Sequence, residues 1–243
     1  VSTLLLVLGL TLLGGLGGLL VASSILLIKE PARTKLIPWL VSYAVGALLG
    51  ASMLEILPEA LERLPATEVF PTLLLGILLF FVLEKLVLWR HCHTHDCEVH
   101  DAAVLPVVVG DGFHNFVDGA VIAAAAMTSL PLGISTAVAV TAHEIPQEVG
   151  DFAILLHAGY SRKKALLLNV ASALASILGA LAAFFAFDRV PGLLPYFLSL
   201  SAASFLYVAM ADLIPGLHRG RTDASSLRQI LLIGAGILTM MLV

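Results

Sequence analysis

Residues that rarely occur in apolar sequence recur at helical spacing in two neighbouring stretches of this chain. In the first, Asp111, His114, Asn115 and Asp118 fall at i, i+3, i+4 and i+7, one narrow face of a helix with 3.6 residues per turn. In the second, His143, Glu144, Gln147, Glu148 and Asp151 fall at i, i+1, i+4, i+5 and i+8, a somewhat wider face. If the two helices pack antiparallel, as the short connection near 128–132 favours, His114 comes level with Gln147 and Asp118 with His143. Side chains four apart on a helix stand about 5–6 Å from each other, so two imidazoles, a carboxylate and an amide oxygen can converge on one point. Asn115 and Glu144 could complete that shell or form a second, weaker site. Imidazole with carboxylate suits zinc, iron, manganese or nickel, whereas an all-oxygen shell favours magnesium or calcium.

The elements that carry these residues must sit in a membrane. The 243 residues are 59% hydrophobic and 12% charged, with a mean hydropathy of +1.02, whereas a globular chain is about 25% charged. That composition excludes most cytosolic enzymes and nucleic-acid binders, and a net charge of -4 offers no bulk attraction for nucleic acid. Runs of about 20 apolar residues can cross the hydrocarbon core. Eight are present, near 4–28, 36–57, 70–89, 103–127, 133–157, 165–187, 192–214 and 229–243. The first lacks a basic leading segment and is too long for a signal peptide, so it is read as a span. The fold class is therefore an all-α, polytopic membrane protein of eight transmembrane helices, in contact with the lipid bilayer over most of its surface.

Basic residues orient the bundle. Lys29, Arg33, Lys35, Lys85, Arg90, Arg162, Lys163, Lys164, Arg219, Arg221 and Arg228, eleven of the thirteen, lie on the faces joined by the connections that follow odd-numbered spans. By the positive-inside rule those connections are cytoplasmic, and both termini face outward. The sequence also shows inverted-repeat character: Glu55-Ile56-Leu57-Pro58 ends the second span and Asp212-Leu213-Ile214-Pro215 the seventh, in helices of opposite direction. The fourth and fifth spans echo each other in the same way.

On this layout the polar stripes lie near the middle of the fourth and fifth spans. A charged residue there costs roughly 2.5–3.5 kcal/mol on insertion scales, so repeated Asp, Glu and His on facing helices call for compensation. A network that merely ties helices together would account for one histidine; two histidines with carboxylates and amides on matched faces exceed that need. Pro146 disturbs the carbonyl of Ala142, a polar group tolerated at this depth where it lines a cavity or finds a partner.

HNFVDG at 114–119 and HEIPQEVGD at 143–151 resemble the paired signatures of the ZIP family of zinc and iron transporters, and the longer stretch HEIPQEVGDFAILLHAG is most similar to the LIV-1-like subfamily. The resemblance extends to the eight-span layout and the histidine-bearing loop before the fourth span. It implies a single transporter domain over 1–243 that moves a divalent metal toward the cytoplasm by an elevator-like motion, with no resident cofactor. Zinc is the first candidate substrate, with iron or manganese as others. His114, Asp118, His143 and Gln147 match the family's main site, Asn115 and Glu144 the neighbouring one, and Asn169 a position where some relatives supply a further ligand. A plasma or inner membrane location and a homodimer are compatible with it. Relatives carry His or Glu at position 147; a neutral amide bridges two cations poorly, so one tightly held ion is expected.

The rival class is an intramembrane zinc metalloprotease, because His143-Glu144 opens like the H-E-x-x-H helix. That motif needs a second histidine at i+4, and position 147 is glutamine. A metal sensor would bind without flux. The cytoplasmic loop 90–101 carries four histidines and both cysteines, which could capture metal but fit no closed structural zinc spacing. Gly14, Gly15, Gly17 and Gly18 lie in an apolar span and read as close helix packing. Glu55, Glu59 and Asp212 could attract cations at the two ends of the path or be ordinary interfacial carboxylates; Glu148 and Asp151 are candidates for an exit route.

Overall fold

A computed structural model describes residues 3–25, 27–89, 104–217 and 224–242. They form eight helical rods and, among the described residues, no strand. The rods are α1 (Thr3–Ile25), α2 (30–63), α3 (Ala66–Trp89), α4 (Val104–Thr128), α5 (Leu130–His157), α6 (162–189), α7 (191–217) and α8 (Ala224–Leu242). Each corresponds to one expected span, with α2 extended at both ends. Among the described residues five segments, in α1, α2, α3, α6 and α7, are long and apolar enough to cross a membrane, and Ser226–Leu242 in α8 is a shorter apolar helix. The polar stripes interrupt the apolar sequence of α4 and α5. The loop 90–101 and the side chain of Asp212 lie outside the described residues.

The rods sort into two groups by packing. Helices α1, α4, α5 and α6 pack on one another, as do α2, α3, α7 and α8; the groups meet where α5 lies on α2 and α4 lies on α7. Glycine allows the tightest approach in each group. On α4 and α6, a Cβ at Gly119 would run into the carbonyl of Ser176, and one at Gly179 into that of Phe116. Between α2 and α8, Gly46 faces the backbone of Ile233 and Gly236 that of Tyr43. Without a hydrophobic driving force inside a bilayer, such backbone contact is a principal source of helix association.

The two acidic-x-x-Pro motifs share an unusual local structure. Helix α2 widens into a π-helical segment over Ala51–Ile56, just before Pro58, and α7 does so over Val208–Leu213, just before Pro215. Proline lacks an N–H and its ring crowds the carbonyl four residues earlier, so a widened turn relieves both. The similarity read in sequence is thus repeated in backbone geometry.

Helices α4 and α5 form a hairpin joined by Ser129 alone. Its hydroxyl accepts from the amide of Leu132 at 3.3 Å, and Pro131 occupies the first turn, two features that start a helix efficiently. So short a connection forces the antiparallel arrangement that brings the two polar faces together.

Candidate metal site

His114 and Asp118 project from α4, His143 and Glu144 from α5, and one ligand atom from each lies within 4.8 Å of the other three. Asp118, His143 and Glu144 are essentially inaccessible, and His114 is half-buried. His143 Nε2 stands 2.9 Å from Asp118 Oδ2 and 3.1 Å from His114 Nε2. His114 Nε2 lies 3.5 Å from Asp118 Oδ2 and 3.7 Å from Glu144 Oε1, and His143 Nε2 is 3.8 Å from the same glutamate oxygen.

The protonation of His143 follows from its other nitrogen. Nδ1 lies 3.0 Å from the carbonyl oxygen of Ala139; a carbonyl can only accept, so Nδ1 carries the proton and a neutral ring presents its lone pair at Nε2. That lone pair faces a carboxylate oxygen and a second imidazole nitrogen. The arrangement is satisfied by a proton or a cation between the groups. Zinc holds nitrogen and oxygen ligands at about 2.0–2.2 Å, which puts the corners of a tetrahedron roughly 3.3–3.6 Å apart. The observed separations of 2.9–3.8 Å straddle that range. The Ala139 contact is the kind of outer partner that fixes a metal-binding imidazole.

Sequence reasoning did not anticipate three features. Phe205 of α7, fully buried, meets the His143 ring edge-on at 6.0 Å, so the other helix group supplies one wall of the site. Gly18 of α1 lies under Glu144: a Cβ there would stand 2.9 Å from the glutamate Cβ. Third, Asp111, Glu144 and Glu148 form another mutually close group; their i, i+4 relation to Asn115 and Glu144 was the available signal. Asn115 donates from Nδ2 to Asp111 Oδ1 at 3.0 Å, leaving its own Oδ1 without a partner. Gln147 is half-buried beside Asp111, and Asn169 is buried beside Glu148.

The other candidates have local roles. Gly14 and Gly15 face Ile122 Cδ1 and Ser176 Oγ, each at 2.9 Å, as close helix packing requires. Glu59 pairs with Arg63 at 2.6 Å, an exposed i, i+4 pair of small energetic weight. Glu55 keeps one buried oxygen without a partner. Gly18→Ala is expected to destabilise the protein by about 1–3 kcal/mol, the usual range for overpacking, and to weaken zinc binding by displacing Glu144. Gly9→Ala, which meets nothing within 4 Å, is the control. Thermal unfolding with and without zinc checks both, and equal zinc-induced shifts in the two variants would contradict the role given to Gly18.

A multi-helix membrane bundle with paired His and carboxylate side chains on an antiparallel hairpin defines the class, and the comparisons identify the family. The profile of the ZIP zinc transporter family matches residues 90–243, and the chain belongs to that family. It is 34% identical over 218 residues to zinc transporter ZIP13 of Pongo abelii, covering 84% of this chain and 65% of that protein. It is 42% identical over 131 residues to human zinc transporter ZIP6, covering 52% of this chain and 17% of the relative. Mouse zinc transporter ZIP4 is 44% identical over 115 residues, 47% of this chain and 17% of the relative. These relatives are members of the LIV-1 subfamily. The chain spans about a sixth of the length of ZIP6 and ZIP4.

Proposed function

We propose that this protein carries a divalent transition metal, zinc first, across the membrane toward the cytoplasm. The ion is held between the fourth and fifth helices by His114, Asp118, His143 and Glu144, with Asn115 and Gln147 at the edge of the same polar face. The observation that carries the reading is the convergence at His143 Nε2, where a lone pair faces an imidazole nitrogen at 3.1 Å and a carboxylate oxygen at 2.9 Å. Family membership and the relatives' names support zinc as the substrate. The distribution of Lys and Arg supports outward-facing termini, and the family resemblance supports inward movement and a plasma or inner membrane location. The two helix groups meeting beside the site support an elevator-like motion of α1, α4, α5 and α6 against the rest.

Peptide hydrolysis is a poorer account of the same residues. A metalloprotease would need a histidine at position 147, and the glutamine there lies beside Asp111. We therefore read the protein as a carrier and not an enzyme. Zinc uptake into proteoliposomes tests the choice: accumulation above protein-free vesicles is expected, whereas binding without accumulation would favour a sensor.

The ligands also set a pH dependence. Metal binds the lone pair of a neutral imidazole, so a proton added at Nε2 competes with binding, and lowering the pH reduces uptake. The expected profile falls from pH 7.5 toward pH 5.5. A rate indifferent to pH across that window would contradict histidine ligation.

A further inference from the structure

We infer that the protein holds a bilayer phospholipid with an ammonium headgroup, choline or ethanolamine, in an apolar cleft between its two helix groups. A cavity of about 420 Å³ opens between α4, α6 and α7, and a smaller one of about 120 Å³ between α3, α4 and α7. Phe113, Val117, Phe197 and Leu200 line both, so the two cavities flank the contact of α4 with α7, where the groups meet. The floor of the larger one is formed on α6 by Gly179, Ala182, Ala183 and Ala186. Seven residues of helix extend about 10 Å, which makes the floor a slot along the helix. Phe116 and Tyr196 on its walls are exposed, and the slot is therefore open to the surrounding bilayer.

The chemistry of the lining selects hydrocarbon. It carries no charged group, and its polar side chains are Ser201 and Tyr196. The Ser201 hydroxyl donates to the carbonyl of Phe197 at 2.8 Å, and that of Tyr196 donates to the Glu68 carboxylate. Neither hydroxyl proton is left for a guest, so the cleft suits an acyl chain and not a metal ion or a polar metabolite. A chain in the slot meets α4, α6 and α7 at once. It gains dispersion contacts that the convex face of α3, with Leu74, Leu75 and Leu78 exposed, does not offer.

Charge at the rim selects the headgroup. Tyr196 lies at the end of the bundle away from the basic connections, and its partner Glu68 is exposed there. Among the described side chains this end carries Glu59, Glu62, Glu68 and Asp188 against Arg63 and Arg189, and Arg63 is already paired with Glu59. An ammonium group there would meet the Glu68 carboxylate and the face of the Tyr196 ring, an ion pair and a cation–π contact together. An anionic headgroup would meet net negative charge. The site rests on the fold alone. Because its walls belong to both helix groups, a bound chain would bear on any movement of one against the other, a consequence that rests on the function proposed above.

The test titrates the purified, delipidated full chain with dioleoylphosphatidylcholine and, separately, dioleoylphosphatidylglycerol, and counts retained lipid by native mass spectrometry. Wild type is expected to retain one phosphatidylcholine per chain in preference to phosphatidylglycerol. Ala182→Trp and Ala186→Trp place an indole in the slot from exposed positions. Each should weaken retention by about tenfold or more, the equivalent of two or three methylenes displaced from an apolar site. Leu178→Trp, on the same helix but outside both cavities, should retain lipid as wild type does, and Glu68→Gln should lose the preference for choline. A phosphatidylcholine with a diazirine on its acyl chain needs no variant: in wild type it should label the segments around Phe113 and Leu200. Equal retention by Ala182→Trp and Leu178→Trp, or label spread evenly over α3, would overturn the site. Equal retention of the two lipids by wild type would overturn the ammonium headgroup and with it this occupant. Zinc is counted on the same samples. A wild type that retains lipid but holds no zinc would overturn the metal reading and leave the lipid site standing, and one that holds zinc but no lipid would do the reverse.

Discussion

Replacing His143 by alanine is expected to reduce zinc uptake into proteoliposomes to the level of protein-free vesicles. Nε2 of this residue stands 3.1 Å from His114 Nε2 and 2.9 Å from Asp118 Oδ2. Its orientation is fixed by the 3.0 Å contact from Nδ1 to the Ala139 carbonyl and by the Phe205 ring. Loss of an outer partner typically lowers metal affinity or activity about 10–100-fold, and removal of the ligand itself should exceed that. The folded state has a separate readout. Zinc should raise the melting temperature of wild type, because a ligand that binds only the native state stabilises it, and should raise that of His143→Ala much less. Uptake by His143→Ala at the wild-type rate, in protein of normal melting temperature, would remove this residue from the path.

The second large effect concerns the scaffold of the site. Gly119→Leu, on the α4 face against α6, is expected to abolish recovery of monodisperse protein. The added side chain would begin inside the backbone of Ser176, and the reciprocal contact of Gly179 with Phe116 leaves the two helices no room to separate locally. Overpacking that side chains can absorb costs about 1–3 kcal/mol; here the obstructing atoms are backbone, so relief requires moving a whole helix. Gly119 follows Asp118 directly, so any such movement also carries Asp118 away from His143. Gly150→Ala, which meets nothing within 4 Å, should behave as wild type in size-exclusion chromatography. A Gly119→Leu protein that elutes normally and still binds zinc would show that the two helix backbones do not require this approach.

Much of the architecture was legible before any coordinates. Helical period is a local property, so the sequence established which residues share a face: Asp111, His114, Asn115 and Asp118 on one helix, His143, Glu144, Gln147 and Glu148 on the next. Apolar run length established the number of rods, and the short connection near 128–132 favoured an antiparallel meeting of the two polar faces. The alignment of Asp118 with His143 followed from that hairpin and is seen at 2.9 Å. The acidic-x-x-Pro motifs in α2 and α7 anticipated a shared local structure, although nothing in their composition announced the π-helical widening.

Tertiary structure alone decided how the faces interlock. His114 reaches across to His143 and Glu144, Gln147 settles beside Asp111, and Glu148 joins Asp111 and Glu144. The positions of Phe205 and Gly18 around the ligands depend on α7 and α1, which are distant in sequence. The physical reason is that a helix specifies its own faces through bonds four residues apart, whereas the rotation and stagger of one helix against another are set by nonlocal contacts between backbones and side chains. In this protein those contacts run through Gly119, Gly179 and Gly18, residues without side chains, whose partners no pattern in the sequence identifies.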